Sequence, residues 1–489
     1  MAHHNATEIP AHLSMWQRVR AYAVPPSMIE TATARRAVGD WAGACAAARI
    51  NVDLDLRAVR DRHGTDLVTR LRTDLRRLAP DLLRWHMPRI APDGRLRPGL
   101  TICLATYGSS GAVPLRLVVR TPPARADGGQ WMSLALWEGS GTDPGGQRQV
   151  RAAPHPHPHP HPHPDRRFRL DLHRHLWDAR RSGELAWRCG AGGEVAPGVH
   201  DSPWAVERWA AEAELLLRAE GRGPRGAFAV RLGARSRAVL ELVAPDDSHV
   251  PAFRRPARVR PSQEIAALPV LPEAAARVLP DLRLLRSGLV TAGRLHPLVA
   301  AALAASGSVT GGAPASTAGP APEPGDPHQV ECRGEVHRIA LRDGVLTAVD
   351  HDPDQLRREE LLLELGGPPL PCLRAIDAVH RTPEALPAVR ERLAHGDVAG
   401  ALTLVEGLLG PGAVLRDGPL RAELEAAVAR RFDHGLFRSG LVTTHPAAGS
   451  APGGGHADAG RRPRLDRGTP HDMSRKRSSR ARPRTGMHR

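Results

Sequence analysis

Aromatic residues are unevenly distributed along this chain, and their distribution limits how its core can be built. All nine tryptophans and both tyrosines lie within residues 16–209, whereas the 280 residues that follow contain phenylalanine as their only aromatic side chain. Because large aromatic side chains dominate core packing, this distribution predicts at least two cores of different composition. The 489 residues, 41% of them apolar, are sufficient for two or three domains.

Two low-complexity stretches, rich in His-Pro and in Gly, Ala, Pro, Ser and Thr, are predicted to be spacers between folded segments. The predicted organisation is helical hairpins plus a β-meander in residues 1–153, a His-Pro spacer at 154–164, a mainly helical segment at 165–224, a strand-then-helix module at 225–305, a linker at 306–328, a second strand-then-helix module at 329–445 and a disordered basic tail at 446–489.

The helices of the first segment have clear sequence signals. Gly39 can end one helix in a left-handed conformation while Asp40 caps the next, which predicts a helical hairpin. An amphipathic helix is predicted from Thr65 to about Ala79, where Pro80 interrupts it. A further helix is predicted to open with Ser202 as its cap and to run to about Ala219.

Short alternating or β-branched runs separated by Gly and Pro predict strands. Residues 100–107, 114–121 and 130–137 are expected to form an antiparallel meander, and residues 227–243 a hairpin. Asp343-Gly344 is a strong hairpin-turn signal between residues 336–339 and 345–349. The predicted fold class is therefore α+β, multi-domain, with helical segments alternating with short antiparallel hairpins or meanders.

Two internal similarities stand out. Residues 281–291 match residues 433–443 at eight of eleven positions, and each copy closes a segment that begins with a strand hairpin. Two diverged strand-then-helix modules are the resulting hypothesis. A second similarity, between residues 37–44 and 394–401, is interpreted as the shared chemistry of a tight turn between helices.

The cysteines and the hydropathy pattern indicate a soluble, cytoplasmic protein without membrane association. The five cysteines are scattered and never form a CxxC pair, so neither a disulfide framework nor a zinc knuckle is predicted, and buried thiols are expected. No signal peptide and no apolar run long enough for a membrane span is recognised.

The near absence of lysine excludes several enzyme classes from the folded region. Lys476 is the only lysine beside 67 arginines, a bias typical of a GC-rich bacterial genome. A phosphate-loop lysine, a kinase strand lysine and a Schiff-base lysine all require a lysine in a folded core. Lys476 lies in the predicted tail, so these mechanisms are excluded.

Histidines supply the candidate metal ligands, all of them weak. The His-Pro run is interpreted as a spacer, because polyproline II geometry turns alternate imidazoles in different directions. His173 and His175 would share one face of a strand, but the surrounding arginines favour a solvated basic face. The weak candidates are His155, His157, His159, His161, His163, His173 and His175. No cofactor is predicted.

The acidic cluster at residues 350–354 has two interpretations. Alternating carboxylates suggest a cation site, but the glycine and distal glutamate of a calcium loop are missing. Asp352 as a helix cap, followed by Pro353 at the first helical position, is the favoured interpretation.

The tail carries much of the chain's charge. Residues 461–489 contribute +9 of the formal net charge of +16. A solvated, unstructured end is the default interpretation, and nonspecific binding of nucleic acid is the alternative. The residues that would bind a polyanion are Arg475, Lys476, Arg477, Arg480, Arg482 and Arg484.

No catalytic motif is recognised: GxSxG and HExxH are missing from the sequence, and the glycine-rich turns at residues 108–111 and 139–141, which lie next to predicted strands, do not complete GxGxxG. The favoured function is a non-enzymatic protein-interaction or scaffold protein with an unidentified protein partner. One alternative is a hydrolase or transferase whose Ser, His and Asp come from distant segments, with unknown catalytic residues. The other is a nucleic-acid accessory protein that acts through its tail.

Overall fold

Helices and small sheets alternate along the chain, so the predicted α+β class is confirmed. The computed structural model describes residues 10–108, 114–139, 163–191, 202–223, 225–234, 236–243, 251–256, 261–306 and 329–439. All of them belong to one compact unit within residues 1–443.

The α-helices of the described residues are α1 Ala11–Tyr22, α2 Pro26–Ala37, α3 Trp41–Ala47, α4 Leu56–His63, α5 Thr65–Arg77, α6 Pro80–His86, α7 Leu185–Arg188, α8 Trp209–Ala219, α9 Ser262–Ala267, α10 Glu273–Ala276, α11 Pro280–Arg286, α12 Pro297–Ala305, α13 Pro353–Glu364, α14 Pro371–Arg381, α15 Leu386–Ala394, α16 Val398–Leu409 and α17 Pro419–Arg438. The strands are β1 Ile50–Asp53, β2 Arg89–Ile90, β3 Arg95–Leu96, β4 Thr101–Tyr107, β5 Leu115–Arg120, β6 Met132–Trp137, β7 Gly226–Arg231, β8 Arg237–Val243, β9 Ala252–Arg254, β10 Gln329–Cys332, β11 Glu335–Arg342 and β12 Val345–Ala348.

The largest sheet contains the predicted meander and one further strand. Its order is β1-β6-β5-β4, and β4, β5 and β6 are antiparallel neighbours. β1 adds to the edge of β6 in parallel, with Ile50 opposite Met132. The meander prediction is therefore confirmed, while β1 was not expected.

Both predicted helix caps of the similar turns are present. Gly39 has φ +78° and the side chain of Asp40 accepts a hydrogen bond from the Gly43 N–H at 2.8 Å. In the second copy Gly396 has φ +81°, and Asp397 accepts from the Gly400 N–H at 3.2 Å. A tight turn with a glycine and a capping aspartate thus accounts for this similarity.

The first core is built on the amphipathic helix α5 and the large sheet. Leu71 and Leu75 of α5 are fully buried in it, together with Trp85 and Trp177. A second core, formed by β10–β12 and the helices after them, contains aliphatic residues and cysteines but no aromatic side chain among its buried members. The two core compositions predicted from the aromatic distribution are confirmed.

The helix expected at Ser202 begins later than predicted. α8 starts at Trp209, directly after a 3₁₀ turn over Val206–Arg208. Instead, the hydroxyl of Ser202 accepts a hydrogen bond from the Trp204 N–H at 3.3 Å. Trp204 itself forms an isolated antiparallel β-bridge with Arg277. The prediction of a helix start at Ser202 was wrong because the pairing of Trp204 with Arg277 keeps residues 202–204 out of the helix.

Two three-stranded meanders each precede a set of helices. β7, β8 and β9 are antiparallel neighbours in chain order and are followed by α9, α10 and α11. β10, β11 and β12 repeat that order before α13. The strand-then-helix sequence of elements is as expected, while the domain boundaries themselves stay predictions.

No helix in the described part of the chain combines the length and the apolar character needed to cross a bilayer.

Candidate functional site

A cavity of about 650 Å³ lies where α1, α10 and α11 meet the residues that follow α6. Residues 167–176 and the turn between β7 and β8 complete its wall. Exposed residues on the lining, among them His12, Ala234 and Arg277, form its mouth. Elements that are distant in sequence therefore combine to enclose one concave site.

The wall combines apolar side chains with an unusual number of arginines. Its apolar part includes Leu13, Trp16, Ile102 and Phe168. The single carboxylate among the described lining residues is Glu273. The lining arginines are Arg20, Arg89, Arg97, Arg167, Arg169, Arg208, Arg231, Arg277 and Arg283.

A buried ion pair forms one side of the cavity. Arg20 of α1 donates to Asp281 of α11 at 2.6 Å and to the carbonyl of Trp85 at 2.8 Å. The indole N–H of Trp85 donates to the other oxygen of Asp281 at 3.0 Å, and the guanidinium of Arg20 lies 4.3 Å from the Trp85 ring centroid. Burial lowers the pKa of Arg20, and Asp281 opposes that shift. This cluster fixes α1 against α11.

Three more lining arginines have carboxylate partners in the wall behind them. Arg208 lies 3.4 Å from Glu212, and Arg169 lies 2.8 Å from Asp171. Arg167 is paired with Asp165 through its guanidinium. Their charges are thus largely compensated by the protein itself.

Four other lining arginines, Arg89, Arg97, Arg231 and Arg277, have no carboxylate partner among the described residues. Arg89 donates only to backbone carbonyls, to Arg84 at 2.9 Å and more weakly to Gly94, and its Nε has no partner. Arg231 donates to the carbonyl of Ala234 at 3.1 Å. Arg277 stacks over Trp204 at 4.7 Å from the ring centroid. The Nε of Arg97 is also unpartnered.

Arg89 is the buried member of these four arginines. Its residue is 7% exposed. Burial and then the positive charge of Arg20 lower the pKa of Arg89 to about 9. A buried cation without an anionic partner is costly, so an anion in the cavity would relieve it.

Two histidines of the wall have lowered pKa values, and at the mouth the positive charge of the lining contributes to the shift. Burial and then the charges of Arg283 and Arg277 lower the pKa of His12 at the mouth. Burial lowers the pKa of His86 to about 3. The carboxylate of Asp281 opposes this shift, and the charge of Arg20 adds to it. The cavity therefore disfavours additional cations and favours anions.

The structure places the two central histidine candidates in the protein interior. His173 lies 1% exposed and its Nε2 is 3.1 Å from Glu212, which also accepts from Arg188 at 2.8 Å. His175 is 3% exposed and lines the cavity. The expected solvated basic face is therefore wrong for both, because this stretch forms buried turns with a short 3₁₀ helix, Arg174–Leu176, rather than a surface strand.

None of the remaining predicted site residues is among the described residues that line the cavity. The ring of His163 contacts Trp137 at a centroid distance of 5.1 Å. His155, His157, His159 and His161 lie outside the described residues, as do the polyanion candidates Arg475, Lys476, Arg477, Arg480, Arg482 and Arg484. The structure thus gives no account of these histidines or of the tail.

The sequence does not single out the cavity arginines, because arginine is abundant throughout the chain and Arg167 and Arg169 fit the pattern of a solvated basic face. One signal was available for Arg20. It follows Leu13 and Trp16 at helical spacing, so it falls on the apolar face of α1. An arginine on such a face requires a buried partner, and Asp281 provides it.

The chain matches no protein-family model, no curated protein and no solved structure.

Proposed function

We propose that this protein binds a small organic phosphate in the arginine-lined cavity. The observation that carries the proposal is that Arg89, Arg97, Arg231 and Arg277 line the wall without a carboxylate partner among the described residues. Guanidinium groups form bidentate, charge-assisted hydrogen bonds to phosphate. A ligand with at least two negative charges would balance these cations.

The volume of the cavity and its apolar wall indicate which class of phosphate-containing ligand would fit. A volume of about 650 Å³ suits a molecule of nucleotide size. Trp16 and Phe168 offer aromatic surfaces, and Leu13 and Ile102 offer aliphatic contacts. The proposed ligand therefore has a phosphate or diphosphate group attached to an apolar or aromatic body.

The composition of the wall supports binding rather than turnover. Among the described lining residues there is no Ser, Thr, Tyr or Asp. Burial raises the pKa of the Cys189 thiol to about 11, so this residue is a poor nucleophile at neutral pH. These features support the non-enzymatic class expected from the sequence over a Ser/His/Asp hydrolase at this cavity. A cytoplasmic location, with the five cysteines as buried thiols, belongs to the same proposal.

Calorimetric titration with three probes tests the proposal: inorganic pyrophosphate, a nucleoside diphosphate and an isoprenyl diphosphate. We expect at least one organic diphosphate to bind in the micromolar range and more tightly than pyrophosphate, because its body adds apolar contacts. The unphosphorylated nucleoside and the isoprenyl alcohol should bind at least tenfold more weakly, since each charge-assisted contact contributes about 1.5–3 kcal/mol.

Variants identify the site of binding. Arg97→Gln and Arg231→Gln should each weaken the binding of the organic diphosphate by about tenfold or more. Arg60→Gln serves as the matched control, because the Arg60 side chain is 54% exposed and pairs with its neighbour Asp61. Equal affinity of all three variants, or no binding of any diphosphate, would refute the proposal.

Protein interaction is a second candidate function, favoured by one observation on α13. This helix buries none of its residues and exposes Leu361 and Leu362, and Leu365 at its C-cap is 85% exposed. Clustered exposed leucines are typical of contact surfaces. Affinity purification should recover a partner with the wild-type chain and lose it with Leu361→Glu/Leu365→Glu, whereas a partner retained by that variant binds elsewhere.

Nucleic-acid binding through the tail remains a separate prediction. Deletion of residues 461–489 should then remove salt-dependent RNA binding while leaving diphosphate binding in the cavity unchanged.

A further inference from the structure

Two cysteines and a histidine converge in the second core, away from the cavity lining. Cys332 ends β10, His351 follows β12 and Cys372 lies in the first turn of α14. Their ligand atoms all lie within 4.8 Å of one another. Both cysteines are 0% exposed and His351 is 7% exposed. Potential metal ligands from three segments of the chain thus lie close together in the protein interior.

Tight turns explain how these residues meet. Arg333 and Gly334 have φ +56° and +85°, so a two-residue turn joins β10 to β11 directly after Cys332. Asp343 and Gly344 form a second turn of this kind before β12. The chain then reverses at His351 and enters α13.

His337 of β11 lies beside the same point. In the β10–β11 ladder Cys332 pairs with Glu335 and Val330 pairs with His337, which places Cys332 and His337 on one face of the sheet. The His337 ring stacks on the His351 ring with centroids 3.8 Å apart and planes 17° apart. His337 is also 7% exposed.

Among the described residues, two buried ring nitrogens at this point lack hydrogen-bond partners. They are Nδ1 of His337 and Nε2 of His351. Leaving a buried polar atom unsatisfied costs about 1–3 kcal/mol, so two of them next to two thiols require an explanation. Cys332 and Cys372 are free thiols that contact each other. Together these groups provide two sulfur and two nitrogen donors.

We infer that Cys332, His351 and Cys372 bind a zinc ion and that His337 provides the fourth ligand. Zinc sites that stabilise folds are tetrahedral and combine thiolates with imidazoles. With Zn–S near 2.3 Å and Zn–N near 2.0 Å, ligand atoms lie about 3.3–3.8 Å apart, so the cluster of Cys332, His351 and Cys372 needs to contract by at most about 1.5 Å. The His337 ring, which is stacked on His351, must turn to direct a nitrogen at the ion. On binding, each thiol loses its proton to solvent and the two thiolates balance the charge of Zn²⁺.

The donor geometry favours one ion over a cluster. A two-iron cluster held by two cysteines and two histidines separates the sulfur ligands from the nitrogen ligands, because each pair binds a different iron. Here His351 lies within 4.8 Å of both cysteines. A single tetrahedral ion fits this arrangement.

Such an ion would link the sheet to α14. The opposite face of the sheet is exposed, with Val336 at 64% and Val345 at 66%. The second core also lacks buried aromatic side chains. Zinc binding would therefore supply folding free energy to a segment whose apolar core is modest.

Metal analysis of the reduced, full-length chain tests this inference. The wild-type protein should contain close to one zinc per chain that survives dialysis. Replacement with Co²⁺ should produce the intense visible bands of a tetrahedral site and a thiolate-to-cobalt charge-transfer band. An absence of these bands, or iron in place of zinc, would overturn the assignment.

Variants separate this site from adventitious binding by the His-Pro run. Cys332→Ser and Cys372→Ser should each lose the bound zinc, whereas Cys103→Ser, a buried cysteine outside the cluster, should retain it. Alanine at His155, His157, His159, His161 and His163 should leave the cobalt spectrum unchanged. Zinc retained by Cys332→Ser would refute the site.

Two measurements remain informative if a cysteine variant fails to fold. A chelator should remove zinc from the wild-type chain and lower its Tm, and added Zn²⁺ should restore it. Peptide mapping of the purified, unreduced protein should find Cys332 and Cys372 unlinked, whereas a disulfide between them would overturn the inference. His337→Ala should bind zinc at least tenfold more weakly, and an unchanged affinity would exclude His337 as a ligand.

Discussion

Arg20 and Asp281 form a buried ion pair at 2.6 Å, although one residue lies in the first helix of the chain and the other in α11. Their side chains are 2% and 0% exposed. The indole of Trp85 binds the second oxygen of Asp281, so the carboxylate is held on both sides. This pair fixes one wall of the cavity.

Removing the carboxylate of this pair should be strongly destabilising. Asp281→Asn leaves Arg20 buried without an anion, and we expect the free energy of unfolding to fall by about 3–5 kcal/mol. Urea denaturation followed by tryptophan fluorescence measures the change. Asp61→Asn is the control, because Asp61 is 66% exposed and should cost less than about 0.5 kcal/mol.

The double variant Asp281→Asn/Arg20→Met distinguishes an uncompensated charge from lost packing. It should recover part of the stability, since no buried charge remains. A double variant less stable than Asp281→Asn would contradict this explanation.

The pKa of His12 should report the charge of the cavity. Because Arg277 contributes to lowering it, Arg277→Gln should raise the pKa of His12 toward its ordinary value. Saturation with an organic diphosphate should have the same effect in the wild-type chain. NMR titration of the imidazole measures both shifts.

Arg254→Gln is the control for this titration, because Arg254 belongs to β9 and its side chain is 72% exposed. A His12 pKa that moves equally in both variants would show that the effect is general rather than local to the mouth.

Two buried histidines should make the protein less stable in weak acid. Burial lowers the pKa of both His86 and His395 to about 3, and neighbouring arginines add to the shift of His395. Below pH about 6.5 the unfolded chain takes up protons that the folded chain does not, so stability is full above that pH and declines as pH falls toward 3. Each of the two histidines should lower the free energy of unfolding by about 2 kcal/mol at pH 5.

Urea denaturation at pH 8, 6 and 5 measures this decline. His395→Gln should reduce the slope between pH 6 and 5 by about 1 kcal/mol per pH unit, even if its stability at pH 8 is lower. A wild-type stability that is constant from pH 8 to pH 5 would contradict the expectation.

Gly396 should not tolerate a side chain. Its φ is +81°, and a Cβ placed there would lie 2.2 Å from the carbonyl oxygen of Gly129. Gly396→Ala should therefore lower the free energy of unfolding by at least about 2 kcal/mol. Gly407→Ala in α16 is the matched control, because a Cβ there meets nothing within 4 Å. That control should be neutral or stabilise by up to about 1 kcal/mol, and thermal denaturation compares the two.

Local sequence signals were sufficient for most elements of the fold. The meander of β4, β5 and β6 was predictable because each strand is bounded by Gly or Pro, and α5 because its leucines repeat at helical spacing. β1 was not, since its four residues follow α3 without a turn signal and pair with β6 across a long stretch of chain. Non-local pairing of this kind leaves no local pattern.

The sites were less predictable because both depend on residues that sequence reasoning assigns to other roles. Arg89 is a buried cation, whereas an arginine is normally expected at the surface. Cys332, His351 and Cys372 lack the short spacing of known zinc motifs, and the sequence signals next to His351 indicate the helix cap at Asp352. Their proximity follows from two hairpin turns and one helix start taken together.

The contacts between the parts of the chain before and after residues 306–328 have a consequence for protein engineering. Arg438 binds Asp53 at 2.7 Å, Arg49 donates to the carbonyl of His395 at 2.8 Å, and His434 lies 3.0 Å from the carbonyl of Ala126. The association of the two parts is thus specified by their own surfaces, and the entropy of closing a longer loop rises only slowly with its length. A reporter domain inserted between residues 306 and 329 should therefore leave these contacts in place.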